Sequence, residues 1–269
     1  TKPHSFKAFP RMRMYQSFGC NNPGCNLYKV VSINKIKLFG YCQQAQAIFA
    51  PMKLNTVIFD MDGLLIDSEP LWKEAADALF LNYKKQLTTE QYVSTTGLRT
   101  KEFLAYWFRH FNLPEAEIAS AETIVVTEVI KLVKQKGHPM PGVQHIFNFF
   151  VDRNFKIGLA SSSPPELINL VVDLLGIKDR LLAISSASGM AYGKPHPDVY
   201  LDCAQKLNAI PIACICFEDS FNGMIAAKAA KMKCVVVPSL HDSKNPVWGA
   251  ADLKISTLNN FNALLLDSL

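Results

Sequence analysis

The stretch "VIFDMDGLLIDSEPLW", residues 57–72, decides how the rest of the chain is read. Val57, Ile58 and Phe59 form a run without a polar residue, the mark of a strand buried on both faces. The run ends in Asp60, with Asp62 two positions on, followed by Gly63 and Asp67. Residues i and i+2 of an extended chain face the same way, so Asp60 and Asp62 project together from a buried strand end. Two partly desolvated carboxylates so placed repel each other unless a cation lies between them. The candidate ligands are all oxygens, so the cation is a hard one. Mg2+ fits, because it takes a few carboxylates and keeps water or substrate oxygens for the rest of its octahedron. A calcium loop of the EF-hand kind is excluded. Counted from Asp60, its fifth, sixth and twelfth positions would be Leu64, Leu65 and Leu71, where acids, Gly and Glu are needed.

Outward from this stretch, short β-branched runs alternate with helical patterns. The runs are "TVIFD" (56–60), "KIGLA" (156–160), "LLAIS" (181–185), "ACICF" (213–217) and "CVVVP" (234–238). The helical stretches between them include "PELINLVVDLLG", "PDVYLDCAQKLN" and "FNGMIAAKAAKM". Strands that are apolar throughout imply a parallel, doubly wound α/β sheet covered on both faces. Residues 70–136 break the rhythm with helical patterns alone, and Pro139, Pro141 and Gly142 punctuate the return. The expected division is an extension over 1–51, a core over 52–67 and 139–269, and an inserted helical domain over 68–138.

Charge is unevenly spread. Of the 28 Lys and Arg, seven lie in residues 1–51, which hold no acid; the other 21 face all 23 Asp and Glu, a net of −2. A mildly acidic globular part gives no nucleic-acid footprint, and no apolar run reaches the ~18 residues of a bilayer span. Residues 1–51 lack sustained periodicity and are expected to have no fold of their own; Met52 could be a natural start, although a basic, acid-free segment also resembles an organelle transit peptide. Cys20, Cys25 and His4 lack a fourth ligand at sensible spacing for a metal. Cys203, Cys214, Cys216 and Cys234 sit among apolar residues and read as buried free thiols of a reducing compartment. The expectation is a cytoplasmic monomer with no membrane partner.

Ligands of such sheets collect beyond the carboxyl ends of the strands. There the sequence places Asp60 and Asp62, Ser161, Glu218 and Asp219, with Lys194 of "GKPHP" between the third and fourth runs. Lys and Ser are phosphate ligands in type. Ser163 and Glu166 have the S-x-x-E spacing of a capping box, with Pro164 in the first turn, and that helix start would add its dipole to an anion site. A phosphoryl group held by Lys194, Ser161 and Mg2+ could be attacked in line by an Asp carboxylate, while a second Asp moves the protons.

"FDMDGLLIDSE", "LASSS", "GKPHPDVY" and "FEDSFNGMIAAKAA", in that order, resemble the four motifs of the haloacid dehalogenase superfamily. The resemblance extends from Met52 onward and is nearest to bacterial sugar phosphatases of the 2-deoxyglucose-6-phosphatase and hexitol phosphatase type. It implies that Asp60 is the nucleophile. Asp62 would be the general acid/base, with its backbone carbonyl on the metal. Ser161, with Ser162 beside it, and Lys194 would bind the phosphoryl group, and Glu218 and Asp219 would complete the Mg2+ site. Whether Glu218 is a ligand or only orients its neighbours stays open. The inserted helices match the family's mobile cap, which makes Glu69, Trp72 and Arg99 of "TTGLR" (95–99) candidate substrate contacts. For Trp72 a core role, and for Arg99 an ion pair, are equally open.

The expected function is a Mg2+-dependent phosphatase of small sugar or polyol phosphates. The runner-up is a phosphoglucomutase of the same superfamily. Such mutases carry a His ten residues after the general acid, where this chain has Trp72. A phosphate-ester binding protein without turnover is the third reading, disfavoured by the intact Asp60 and Asp62 pair.

Overall fold

The strand that carries Asp60 lies in the middle of a sheet. A computed structural model describes residues 53–269; the expectations for residues 1–51 and for a start at Met52 lie outside the described residues. The strands are β1 (Thr56–Phe59), β2 (Lys156–Ser161), β3 (Ala183–Ser186), β4 (Cys214–Glu218), β5 (Lys233–Val236) and β6 (Leu253–Lys254). Their order is β3-β2-β1-β4-β5-β6, and every pairing is parallel. From β1 the chain winds first to one side and later to the other. The switch point therefore falls between β1 and β4, and the ends of those two strands hold Asp60 and Glu218.

The continuous apolar run of β1 follows from two cores. Val57 and Phe59 pack on one face with Phe147, Phe150 and Phe217, Phe59 stacking on Phe147 at 4.9 Å between centroids. Ile58 faces the other way, among Tyr200, Cys203, Cys216 and Met224. Cys203, Cys214, Cys216 and Cys234 are free and buried, as their apolar neighbours implied. β6 was not anticipated, because two residues are too few to show a period.

Of the five α-helices between β1 and β2, the first four are α1 (Glu69–Asn82), α2 (Thr89–Val93), α3 (Thr100–His110) and α4 (Ile118–Lys136). They form the helical cap. Leu79, Phe80, Leu104, Phe108, Val125 and Val129 are among the buried residues of its interior, with Phe80 edge-on to Phe103 and Phe111. The chain enters and leaves the cap side by side. The Asp67 N–H donates to His138 O at 3.0 Å, and the Met140 N–H to Leu65 O at 2.9 Å. The remaining helices, α5 (Val143–Val151), α6 (Pro165–Leu175), α7 (Asp198–Lys206), α8 (Phe221–Ala229) and α9 (Ala263–Asp267), follow the cap. No helix among the described residues is long and apolar enough to cross a membrane.

Candidate active site

Two strand ends and one loop converge on a buried ion cluster. Lys194 is 1% exposed. Its ammonium lies 2.5 Å from Asp60 Oδ1 and 2.6 Å from Glu218 Oε1. Burial alone would pull this lysine down, but the two carboxylates outweigh it and hold it above its ordinary value. Burial pushes Asp60 well up; Lys194 opposes this, while Glu218 and Asp62 add to it. Asp219 is likewise pushed up by burial and then by Asp60, Glu218 and Glu69. One oxygen from each of Asp60, Glu218 and Asp219 lies within 4.8 Å of the others. Three carboxylates against one ammonium leave two negative charges uncompensated when all are ionised, the charge a divalent cation supplies. An all-oxygen donor set suits a hard cation.

Two glycines make room for these carboxylates. A Cβ on Gly63 would fall 2.1 Å from Asp219 Oδ2, and one on Gly223 would fall 1.8 Å from Glu218 Oε1. Gly63 also has φ +73°, which an L side chain resists. Glu218 is the most heavily bonded member. Oε1 accepts from Lys194 and Tyr200, and Oε2 accepts from the N–H groups of Asp219 and Ser220 and from Ser220 Oγ at 3.1–3.2 Å. Asp60 and Asp219 are thus the carboxylates less committed to protein donors. Sequence reasoning missed Tyr200 and Ser220; "PDVY" and "EDS" contain them, but nothing in their spacing says that both serve Glu218.

Asp62 turns toward the cap entry. Its Oδ1 accepts from Ser68 Oγ at 2.7 Å and Trp72 Nε1 at 2.8 Å. Its Oδ2 accepts from Ser163 Oγ at 2.7 Å and, more weakly, from Ser161 Oγ at 3.4 Å. Trp72, which stands where the mutases have His, therefore touches the proposed acid/base directly. The capping box expected of Ser163 and Glu166 is not formed. The prolines at 164 and 165 move the helix start one residue on, so Pro164 is the N-cap and the Ser163 hydroxyl is spent on Asp62. Ser161 is buried and accepts from the Ser163 N–H at 3.0 Å. The Ser162 hydroxyl reaches the cap, donating to Gly97 O at 2.7 Å.

Beside the cluster is a cavity walled by both core and cap. Its lining includes Asp60, Asp62, Asp219 and Ser162 from the core side and Glu69, Trp72, Tyr92, Thr95, Thr100 and Phe103 from the cap. No Lys, Arg or His is among its lining residues. Of the two readings open for Arg99, the structure has the ion pair, with Glu102 at 2.5 Å, and not the substrate contact: the guanidinium is not among the cavity's lining groups and donates to Met190 O at 2.6 Å and Ala187 O at 3.2 Å. Burial, then the Asp62 charge, pushes the Glu69 carboxyl up to about 8. His196 is half-exposed beside Asp198, just ahead of α7, and takes no part in the cluster.

Residues 54–231 match the family described as haloacid dehalogenase-like hydrolase. The chain belongs to that family, and within it the chain is a phosphatase. It is 37% identical over 216 residues to hexitol phosphatase B of Escherichia coli, covering 79% of this chain and 96% of that protein. Fructose-1-phosphate phosphatase of the same organism is 27% identical, over 67% and 95% of the two chains. Among solved structures, a β-phosphoglucomutase from Clostridium difficile is 25% identical with a TM-score of 0.70, covering 80% of this chain and 96% of that one.

Proposed function

We propose that the enzyme hydrolyses phosphomonoesters of small, uncharged sugars or polyols with Mg2+, through a phosphoryl group carried on Asp60. The observation that carries this reading is the buried cluster of Asp60, Lys194, Glu218 and Asp219, of which Asp60 and Asp219 open onto a cavity with no Lys, Arg or His among its described lining residues. Asp60 and Asp219, with Glu218 beside them and the Asp62 backbone carbonyl, would hold the ion. When bound, Mg2+ would neutralise the phosphoryl oxygens and let an anion approach a carboxylate.

The chain's own residues would do the rest. An Asp60 oxygen attacks phosphorus, the ester P–O bond breaks, and Asp62 gives a proton to the departing alkoxide. Asp62 then takes a proton from water as that water attacks phosphorus, and the Asp60 carboxylate is released with inorganic phosphate. Lys194 neutralises charge beside Asp60 throughout. The four donors around Asp62 fix where its oxygens point.

Two observations narrow the substrate. A second phosphate or a carboxylate on the substrate would enter walls whose charged groups are all acids, and an unpaired buried charge is strongly unfavourable. Hydroxyls, by contrast, find Glu69, Thr95 and Thr100 in those walls. Trp72 argues against the mutase alternative, because an indole N–H only donates and cannot relay a proton to a sugar as imidazole can. Both ideas are tested by a panel of hexose, hexitol and pentose monophosphates, 6-phosphogluconate and hexose bisphosphates, scored for free phosphate and for isomerised ester. The expected result is phosphate release from neutral monoesters, with kcat/KM for their anionic counterparts lower by roughly 100-fold, the equivalent of about 2.7 kcal/mol. A bisphosphate as best substrate, or isomerised product, would contradict the reading.

A further inference from the structure

The segment running from the end of α2 into the first turn of α3, residues 95–102, meets the core on three sides. Gly97 O accepts from Ser162 Oγ at 2.7 Å, just after β2. Thr96 O accepts from Asn222 Nδ2 at 2.8 Å, three residues past Asp219. Arg99 donates to Ala187 O and Met190 O, and Glu102 Oε1 accepts from the Gly193 N–H at 3.2 Å, next to Lys194. One cap segment thus touches each of the three core segments that deliver Ser161, Asp219 and Lys194.

The fit at Gly193 is the closest of these. A Cβ there would fall 2.3 Å from Glu102 Oε2 and 2.7 Å from Arg99 Nε. Arg99 Nε is itself buried without a hydrogen-bond partner. A desolvated, unsatisfied donor is unfavourable, so the guanidinium is not placed there for its own comfort. Its four other hydrogen bonds, to Ala187 O, Met190 O, Ala191 O and Glu102, all bear on one stretch of backbone or on the acid that grips it. The geometry points to Arg99 and Glu102 as positioning residues for Lys194. Seated, the pair clamps residues 187–193 and fixes where the ammonium meets Asp60. Unseated, it releases that stretch together with the contacts at Ser162 and Asn222. Cap closure and phosphate-site assembly are then one event, which keeps the nucleophile idle until the cavity is shut.

The inference rests on phosphatase turnover but not on which ester is preferred. Arg99→Ala, Arg99→Lys and Glu102→Gln would be assayed with Mg2+ on a hexitol phosphate and on p-nitrophenyl phosphate, alongside calorimetry. Arg99→Ala and Glu102→Gln are expected to lower kcat by about tenfold or more, by the same factor on both esters, with KM moved far less. Arg99→Lys, able to reach one carbonyl, should recover part of the loss. A fall confined to the hexitol phosphate would make Arg99 a substrate contact after all and overturn the inference. An unchanged kcat beside a lowered Tm would also overturn it, leaving a structural tie alone. If Arg99→Ala does not fold, Glu102→Gln, which keeps shape and loses only charge, decides. If hexitol phosphates are not turned over at all, the reading of the substrate fails, while the artificial ester still reports on the clamp.

Discussion

At Glu69 the balance between burial and charge is measurable. Its carboxyl is pushed up to about 8, from an ordinary value of 4.5, by burial first and Asp62 second. Between those values the folded chain keeps a proton that the unfolded chain has released. Stability therefore falls as pH rises through that window. Glu69→Gln should flatten part of the decline in Tm of the metal-free protein between about pH 5 and about pH 8. An unaltered slope would show that Glu69 ionises normally in the fold. Residue identities at the strand ends were legible in the sequence because their chemistry has few other uses there: Asp60, Asp62 and Asp219 lie just past the β-runs that precede them, and Lys194 lies in the loop between the third and fourth runs. Of the two readings open for Arg99, the ion pair holds, with Glu102; its other partners are backbone carbonyls on a loop some ninety positions away, and backbone acceptors leave no mark in a sequence.

Ser163 carries the same lesson at the level of elements. The S-x-x-E spacing is a sound helix-start signal, yet two successive prolines displaced the start to Pro165 and freed the hydroxyl for Asp62. Ser163→Ala should then lower Tm only by what the one hydrogen bond to Asp62 contributes, about 1–2 kcal/mol, and lower kcat by roughly tenfold, about 1.4 kcal/mol of transition-state positioning. A fall in Tm with kcat intact would restore the capping role. Elsewhere the elements were readable where they were long or apolar throughout: five of the six strands, and the cap as an all-helical interval. The short α2 carries a formed capping box between Thr88 and Gln91, a signal present in "TTEQ" that the sequence reading passed over. β6 offered none.

For the whole molecule, the cluster of three carboxylates and one lysine sets the response to metal. Folding confines these charges together without full compensation, and a divalent cation relieves them. At a hundred times its dissociation constant, Mg2+ should stabilise the fold by about 2.7 kcal/mol, or roughly 5–10 °C in Tm for a chain of this size. Asp219→Asn should shrink that shift, and chelation should abolish turnover. A Tm indifferent to Mg2+ would show that the cluster is a self-contained ion network.

The central claim is that the phosphoryl group passes through Asp60, and trapping it is the most direct test. Enzyme mixed with Mg2+ and a neutral sugar phosphate would be quenched in acid within one turnover, reduced with borohydride and mapped by peptide mass. An acyl phosphate at Asp60 would be converted to homoserine at that position alone, and Asp60→Asn would show no such product and under about a thousandth of the activity. Phosphate release with no modification at position 60, or an Asp60→Asn variant still turning over well above that level, would contradict the account.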